Sequence, residues 1–270
     1  MTKLWKWSGA GNLFVVIDGR GGGADEFRES SEIQRLCREY ATDGLMILRE
    51  SASGRDFAME FYNPDGSSGM MCGNGGRCIS AFADMLGIKP ADGGVFRFDA
   101  PDGVHTAEIL QRPANPETDE WTVRLGMKDV EGIAEYPEGL FLNTGTRHFV
   151  KFVPDVEAID IDAEARPIRF DARFAPEGTN VNFVELGDTI KIRTFEKGVE
   201  GETAACGTGI TATAIACRYK GVAPAFEAPD GRISYRIQAR EATLSVDFIQ
   251  KKKDAFTDVF LTGPAKILAE

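Results

Sequence analysis

Cys72 and Cys206 head two copies of one pattern, Met71-Cys72-Gly73-Asn74-Gly75 and Ala205-Cys206-Gly207-Thr208-Gly209, which stand 134 residues apart in a chain of 270. Phe61 and Phe195, Gly87 and Gly221, and Pro90 and Pro224 recur at the same interval. Four landmarks in one register mark a duplication. Whatever fold one half adopts, the other adopts too, and any group the pattern positions is positioned twice. A chain of this length, with 43% hydrophobic and 27% charged residues, can give each half its own core.

The net charge of −11 at pH 7 argues against nucleic acid or an anionic membrane as partner, because both need clustered Lys and Arg. The only basic run, Lys251-Lys252-Lys253, reads as a solvated turn. No apolar stretch approaches the ~20 residues of a membrane span, and the N-terminus lacks a signal-peptide pattern. Five cysteines at spacings that fit no disulfide framework suit a reducing compartment, so a cytoplasmic location is expected.

Ser30-Ser31-Glu32 opens a helix whose inner stripe is Ile33, Leu36, Cys37 and Tyr40. A longer helical pattern runs from Cys72 through Ile79, Phe82, Ala83 and Leu86 to Gly87, with Pro90 beyond. Its twin runs from Cys206 through Ile210, Thr213, Ala214 and Cys217 to Gly221 and Pro224. Cys37, Cys78 and Cys217 read as structural. Short alternating runs, among them 57–62, 121–125, 190–193 and 243–247, read as strands. The fold class is therefore α/β (α+β), each half a mixed, mostly antiparallel sheet curled around one central helix. Gln111–Thr118, polar and Pro-rich, is the expected linker.

A cysteine at the first turn of a helix faces backbone N–H groups that lack intrahelical partners, and the helix dipole favours negative charge there. That favours thiolate. The N–H groups around Gly73 and Asn74, and around Gly207 and Thr208, can also hold a carboxylate. A thiolate on one side of an α-carbon and a thiol on the other could remove a proton from one face and deliver one to the opposite face, inverting the centre. This chemistry needs no cofactor. No Walker loop, dinucleotide fingerprint or recognisable pyridoxal lysine is present, and two histidines with scattered cysteines make no zinc pattern, so no metal is expected.

The landmarks Gly9-Ala10-Gly11-Asn12, Asn63-Pro64-Asp65-Gly66-Ser67, Met71–Cys78, Gly178-Thr179-Asn180-Val181-Asn182-Phe183 and Gly201–Gly209 give the chain its resemblance to the diaminopimelate epimerases, over essentially its whole length. The resemblance implies cofactor-independent interconversion of LL- and meso-diaminopimelate, with the active site in a cleft between two domains. Those would be residues 1–117 plus 262–270, and 118–261, with 262–267 returning to pair with the first. It implies Cys72 and Cys206 as the two bases, Gly73, Asn74, Gly207 and Thr208 around the reacting carboxylate, and Glu196 at the reacting amino group. His148 would stand beside the thiols, Asn12 would line the site, and Asn63 and Asn180 would grip the far end of the substrate. A small amino acid is the implied partner, and the chain would act alone or as a homodimer.

Several positions depart from the family's usual pattern. Ser8 replaces His, Leu13 replaces Asp or a similar polar residue, the glycine-rich stretch shortens to Tyr40–Gly44, Thr146-Arg147-His148 replaces Asn-Pro-His, and Lys197 replaces the arginine that grips the distal carboxylate. A planar guanidinium and a point charge are not equivalent. Lys197 and Thr146 therefore keep open a racemase of another amino acid on the same scaffold. A redox thiol protein is the alternative from another class, although such proteins usually carry both cysteines in one C-x-x-C motif. By their neighbours alone, Asn12 and Asn63 also read as turn residues, His148 as a core histidine, and Glu196-Lys197 as a solvated pair.

Overall fold

The computed structural model describes residues 2–69, 71–115 and 120–268. Contacts divide the chain into two compact units, Met1–Leu125 with Gly263–Glu270, and Gly126–Thr262. The boundary expected at 117/118, and the end of the expected linker, lie outside the described residues.

The first unit contains β1 (Leu4–Gly9), β2 (Asn12–Asp18), α1 (Ser30–Glu39), β3 (Gly44–Arg49), β4 (Phe57–Tyr62), α2 (Gly73–Met85), β5 (Val95–Ala100), β6 (Gly103–Gln111) and β7 (Trp121–Gly126). The second begins with β8 (Val130–Glu131), β9 (Ala134–Tyr136), β10 (Gly139–Asn143), β11 (Arg147–Val153), α3 (Ile161–Arg169), β12 (Asn180–Glu185) and β13 (Ile190–Glu196). It continues through β14 (Gly201–Thr203), α4 (Gly207–Tyr219), β15 (Phe226–Glu227), β16 (Arg232–Gln238), β17 (Thr243–Lys252) and β18 (Ala255–Leu268). From Gly263 onward β18 belongs to the first unit, where Lys6, Trp7 and Ser8 pair antiparallel with Leu268, Ile267 and Lys266. Residues 121–125 also belong to the first unit, because β7 pairs with β6 from Thr122↔Gln111 to Leu125↔Ala107.

The two sheets repeat one ladder order. In the first unit the successive pairings β1–β2, β2–β3, β3–β4, β4–β5, β5–β6 and β6–β7 run antiparallel, parallel, antiparallel, parallel, antiparallel and antiparallel. In the second, β10–β11, β11–β12, β12–β13, β13–β16, β16–β17 and β17–β18 follow the same succession. The duplication read in the sequence is thus a duplication of topology.

Residue patterns explain which strands carry layers on both faces. β3 is buried at five successive residues, Gly44–Leu48, since α1 covers one face and α2 the other; strands covered on both faces read as unbroken apolar runs. β4, with Phe57, Met59 and Phe61 buried and the residues between them half-buried, alternates. The stripe Ile33, Leu36 and Cys37 of α1 packs on Val15, Ile17, Leu45 and Ile47, with Tyr40 beside it. In the second unit α3 packs Ile161, Ala165 and Ile168 among Phe149, Phe174, Val181, Phe183 and Phe195.

α2 and α4 occupy equivalent spans and are buried far beyond one stripe: every residue from Gly73 to Ala83, and all but Thr208 from Gly207 to Cys217. Gly, Ala, Ser and Thr dominate both because a helix enclosed by its own sheet has room for little else. Both helices end alike. Gly87 and Gly221 adopt φ of 77° and 75°, and their N–H groups bond back to Asp84 and Arg218, the left-handed stop that glycine accepts without strain.

Phe82 anchors α2, fully buried with its ring edge-on to Trp5 at 4.9 Å and to Trp7 at 6.0 Å. Phe82→Ala should therefore destabilise the protein by about 3–5 kcal/mol, as cavity-forming core truncations do. A urea denaturation midpoint that does not move would contradict this packing role.

Candidate active site

Cys72 is the N-cap of α2, and its extended backbone (φ −104°, ψ 150°) turns Sγ back to accept the Gly75 N–H at 3.2 Å. A chain of polar bonds fixes the residues around it. The Asp43 carboxylate accepts from the Leu13 N–H at 2.8 Å and from Asn12 Nδ2 at 3.1 Å. Asn12 Oδ1 accepts from Asn74 Nδ2, and Asn74 Oδ1 accepts from Arg77 Nη2 at 2.9 Å. A carboxylate only accepts and a guanidinium only donates, so the two ends of the chain orient both amides between them. Ser8 and Leu13, two of the unusual residues, face each other across β1 and β2. Asn63 lies in a separate turn, its Nδ2 donating to Ser67 Oγ at 3.0 Å and its carbonyl accepting the Gly66 N–H.

Cys206 caps α4 with φ −104° and ψ 109°. Its Sγ lies 3.4 Å from the Thr208 hydroxyl. Behind them stands His148, fully buried. Asn182 Nδ2 donates to the Phe149 carbonyl at 3.2 Å and to His148 Nδ1 at 3.0 Å, while its Oδ1 accepts from Thr194. The Phe149 carbonyl cannot donate, which sets the amide. Nδ1 of His148 is therefore an acceptor, and its proton sits on Nε2, 2.9 Å from the hydroxyls of both Thr208 and Thr146. Thr208 accepts from the ring and from Thr146, and directs its own proton to Cys206. Gly209 must be glycine here: a Cβ would lie 2.5 Å from Asn182 Oδ1.

Asn180 stitches the neighbouring rim, accepting the Lys197 N–H at 2.8 Å and donating to the Arg147 carbonyl at 2.9 Å. Lys197 is exposed, with Nζ 3.1 Å from the Glu177 carbonyl. Glu196 accepts from the Thr203 hydroxyl at 2.9 Å. Its sequence counterpart in the first half, Tyr62, instead reaches Glu60 and packs against the α1 core. Tyr62-Asn63, 134 residues before Glu196-Lys197, matches that pair in position and not in chemistry.

Cys72, Gly73, Asn74 and Asn12 are thus brought together in the first unit, and Cys206, Gly207, Thr208, His148, Thr146, Asn180 and Lys197 in the second. Asp43, Arg77, Asn182 and Thr203 support them without having been singled out in the sequence. Arg77 and Asn182 lay inside quoted motifs, and Asp43 inside the shortened Tyr40–Gly44 stretch. The other three thiols are poor nucleophiles, since burial raises Cys37 above its ordinary value and pushes Cys78 and Cys217 up to about 12. Among the described residues no group of three or more His, Cys, Asp or Glu side chains could hold a metal ion, and no helix is long and apolar enough to cross a membrane.

Each unit is thus a sheet around one central helix, with a cysteine at the cap of that helix. The fold recurs in a phenazine biosynthesis protein of the PhzF family from Bacillus anthracis, with TM-score 0.72 at 11% identity over 99% of this chain and 97% of that one. It recurs also in a probable proline racemase from Agrobacterium radiobacter, with TM-score 0.64 at 14% identity over 100% and 93%. The sequence model of the family described as diaminopimelate epimerase matches residues 4–120 and 140–253, and the chain belongs to that family. It is 38% identical to the diaminopimelate epimerase of Flavobacterium psychrophilum over 99% of this chain and 98% of that protein. It is 39% identical to that of Aquifex aeolicus over 97% and 94%.

Burial lowers the His148 pKa from 6.5 to about 3, so the ring is neutral wherever the protein is folded near neutral pH. Between those two values the unfolded chain binds a proton that the folded one does not, so stability falls as pH falls. Urea unfolding should show a loss approaching about 1.4 kcal/mol per pH unit below roughly 6.5, and His148→Gln should remove that dependence. A wild-type stability unchanged between pH 7 and pH 5 would show that the ring takes up its proton within the fold.

Proposed function

We propose that this protein interconverts LL- and meso-diaminopimelate, a step toward lysine and peptidoglycan precursors, by proton transfer between Cys72 and Cys206. The observation that carries the reading is the pair of cysteines at equivalent helix caps, each beside first-turn N–H groups and each in a preorganised polar setting. The reaction requires both half-sites to meet at one α-carbon. The thiolate of one cysteine takes the α-proton, and the electron pair left on carbon spreads into the substrate carboxylate. The N–H groups of the two helix turns stabilise that growing negative charge. The thiol of the other cysteine then gives its proton to the opposite face, the configuration inverts, and thiol and thiolate have exchanged places. Excluding water protects the exchanged proton and strengthens these interactions.

Glu196, held by Thr203, is suited to meet the substrate's reacting ammonium. Asn63, Asn180 and Lys197 are assigned to the far end, with Lys197 in the role of the family's arginine. A reducing cytoplasm would suit a reaction that depends on two reduced thiols. A second reading, the same reaction on another amino acid, is favoured by the exposed ammonium of Lys197, already engaged with a main-chain carbonyl.

Incubating the reduced protein with LL-diaminopimelate in deuterated water tests the reaction. We expect α-deuteration and appearance of the meso isomer, with Cys72→Ser and Cys206→Ser each reducing turnover by about 10²–10⁴-fold. Exchange with a different amino acid alone would favour the second reading, and no exchange with any would overturn both.

The distal end has its own test. Lys197→Ala should lose about 1.5–3 kcal/mol of transition-state stabilisation with diaminopimelate, the cost of a charged hydrogen bond, while Lys197→Arg should be as active or better. Unaltered kcat/KM in the alanine variant would show that the far carboxylate is not held there.

A further inference from the structure

The turn that carries Lys197 is closed by a residue in an unusual conformation. Glu200 has φ 57°, in the left-handed region that most side chains avoid. Its counterpart 134 residues earlier is Gly66, with φ 82°. The duplicated turn thus uses the same backbone twice, and the first half fills it with the residue that adopts it without strain. A glutamate at such a point is explained by what its side chain does.

That side chain joins two elements. Oε1 accepts the Gly198 N–H at 3.1 Å, within the turn, and Arg169 Nη2 at 2.7 Å, from the last residue of α3. The Glu200 N–H bonds back to the Glu196 carbonyl at 2.8 Å, and the Glu200 carbonyl accepts from Arg166 Nη2 at 3.4 Å. Because α3 is packed into the core through Ile161, Ala165 and Ile168, the turn is tied to a rigid element. Arg169 also braces the other segment that touches Lys197. Its side chain is mostly buried, the guanidinium lies 4.7 Å from the Phe170 ring centroid, and Nη1 approaches Gly178 so closely that no Cβ would fit there. Gly178 follows Glu177, whose carbonyl accepts from Lys197 Nζ, and stands two residues before Asn180, whose amide oxygen accepts the Lys197 N–H. One guanidinium therefore supports both chain segments between which Lys197 is held.

We infer that Arg169 and Glu200 are positioning residues for the far end of the substrate: they set where the Lys197 ammonium stands, and so the length of amino acid that the site accepts. A lysine is a point charge on a flexible stem. Fixing the backbone at its base is what gives a single ammonium a defined place. The inference rests on the reading above in which Lys197 meets the far carboxylate, and its test has one arm that reads the turn itself and another that reads turnover.

Amide hydrogen exchange of the reduced protein reads the turn. In Arg169→Met the amides of Lys197, Gly198 and Glu200 should exchange about tenfold faster or more, while those of residues 210–217 in α4 stay within about twofold, as a local and not a global opening requires. With diaminopimelate, Glu200→Gly suits the backbone and removes only the side chain, and should lower kcat/KM about tenfold or more. Glu200→Gln keeps an oxygen for both bonds and should stay within about threefold of the unmodified protein. In a Lys197→Ala background the effect of Glu200→Gly should shrink to within about twofold, since nothing is left to position. Equal losses in both backgrounds would overturn the link to Lys197. Unchanged exchange at 197–200 would overturn the anchoring, and Glu200→Gly supplies that comparison where Arg169→Met does not fold. An unmodified protein that leaves diaminopimelate untouched would instead refute the proposed substrate, and the exchange rates still decide whether Arg169 holds the turn.

Discussion

The first turn of a helix leaves N–H groups without intrahelical partners, and two such turns, each with a cysteine at the cap, are what the remainder of this protein presents. Both helices are enclosed by their own sheets, so their orientation is held by burial on nearly every face and not by a single stripe. That enclosure demands small side chains in the helices and large ones in the strands around them, which is why Ala, Gly and Thr alternate in α4 while Phe82 of α2 meets two tryptophans. Close approach and rigidity arise from the same constraint, and rigidity is what a site needs if its hydrogen-bond donors are to be aligned before charge develops.

Much of this was legible in residues. The 134-residue interval announced two equivalent folds, the glycines at 87 and 221 announced where the helices stop, and the alternation in 57–62 announced a strand covered on one face more than the other. The paired Cys-Gly patterns marked the two helix caps at which the sulfurs stand. The supporting shell was less legible, for a physical reason. Asp43 orients Asn12 from 31 residues away, and Asn182 orients His148 from 34 residues away, across parallel strand pairs whose registers no local pattern encodes. The domain boundary was also hard to place, because β7 carries the ordinary alternation of a strand and nothing in its residues says with which sheet it pairs.

Equivalence of backbone has not meant equivalence of chemistry. Cys72 is met by a backbone N–H and Cys206 by a threonine hydroxyl backed by a neutral imidazole. The polar chain of the first half ends in two full charges, Asp43 and Arg77, whereas that of the second is neutral from Thr194 through Asn182 and His148 to Thr208. A duplicated fold constrains where groups stand, and leaves each half free to decide how its groups are polarised.

The strand that carries Leu268 back to Lys6 gives the two halves unequal histories as well. The second unit is one continuous stretch of chain, so its sheet can close as soon as that stretch exists. The first unit holds β1 with one neighbour, β2, until a segment some 260 residues downstream has been made. During synthesis β1 is therefore an open sheet edge, of the kind that recruits unrelated strands. The half that is translated first is the half whose sheet is completed last, and the interval between them is the period in which a newborn chain depends most on its surroundings.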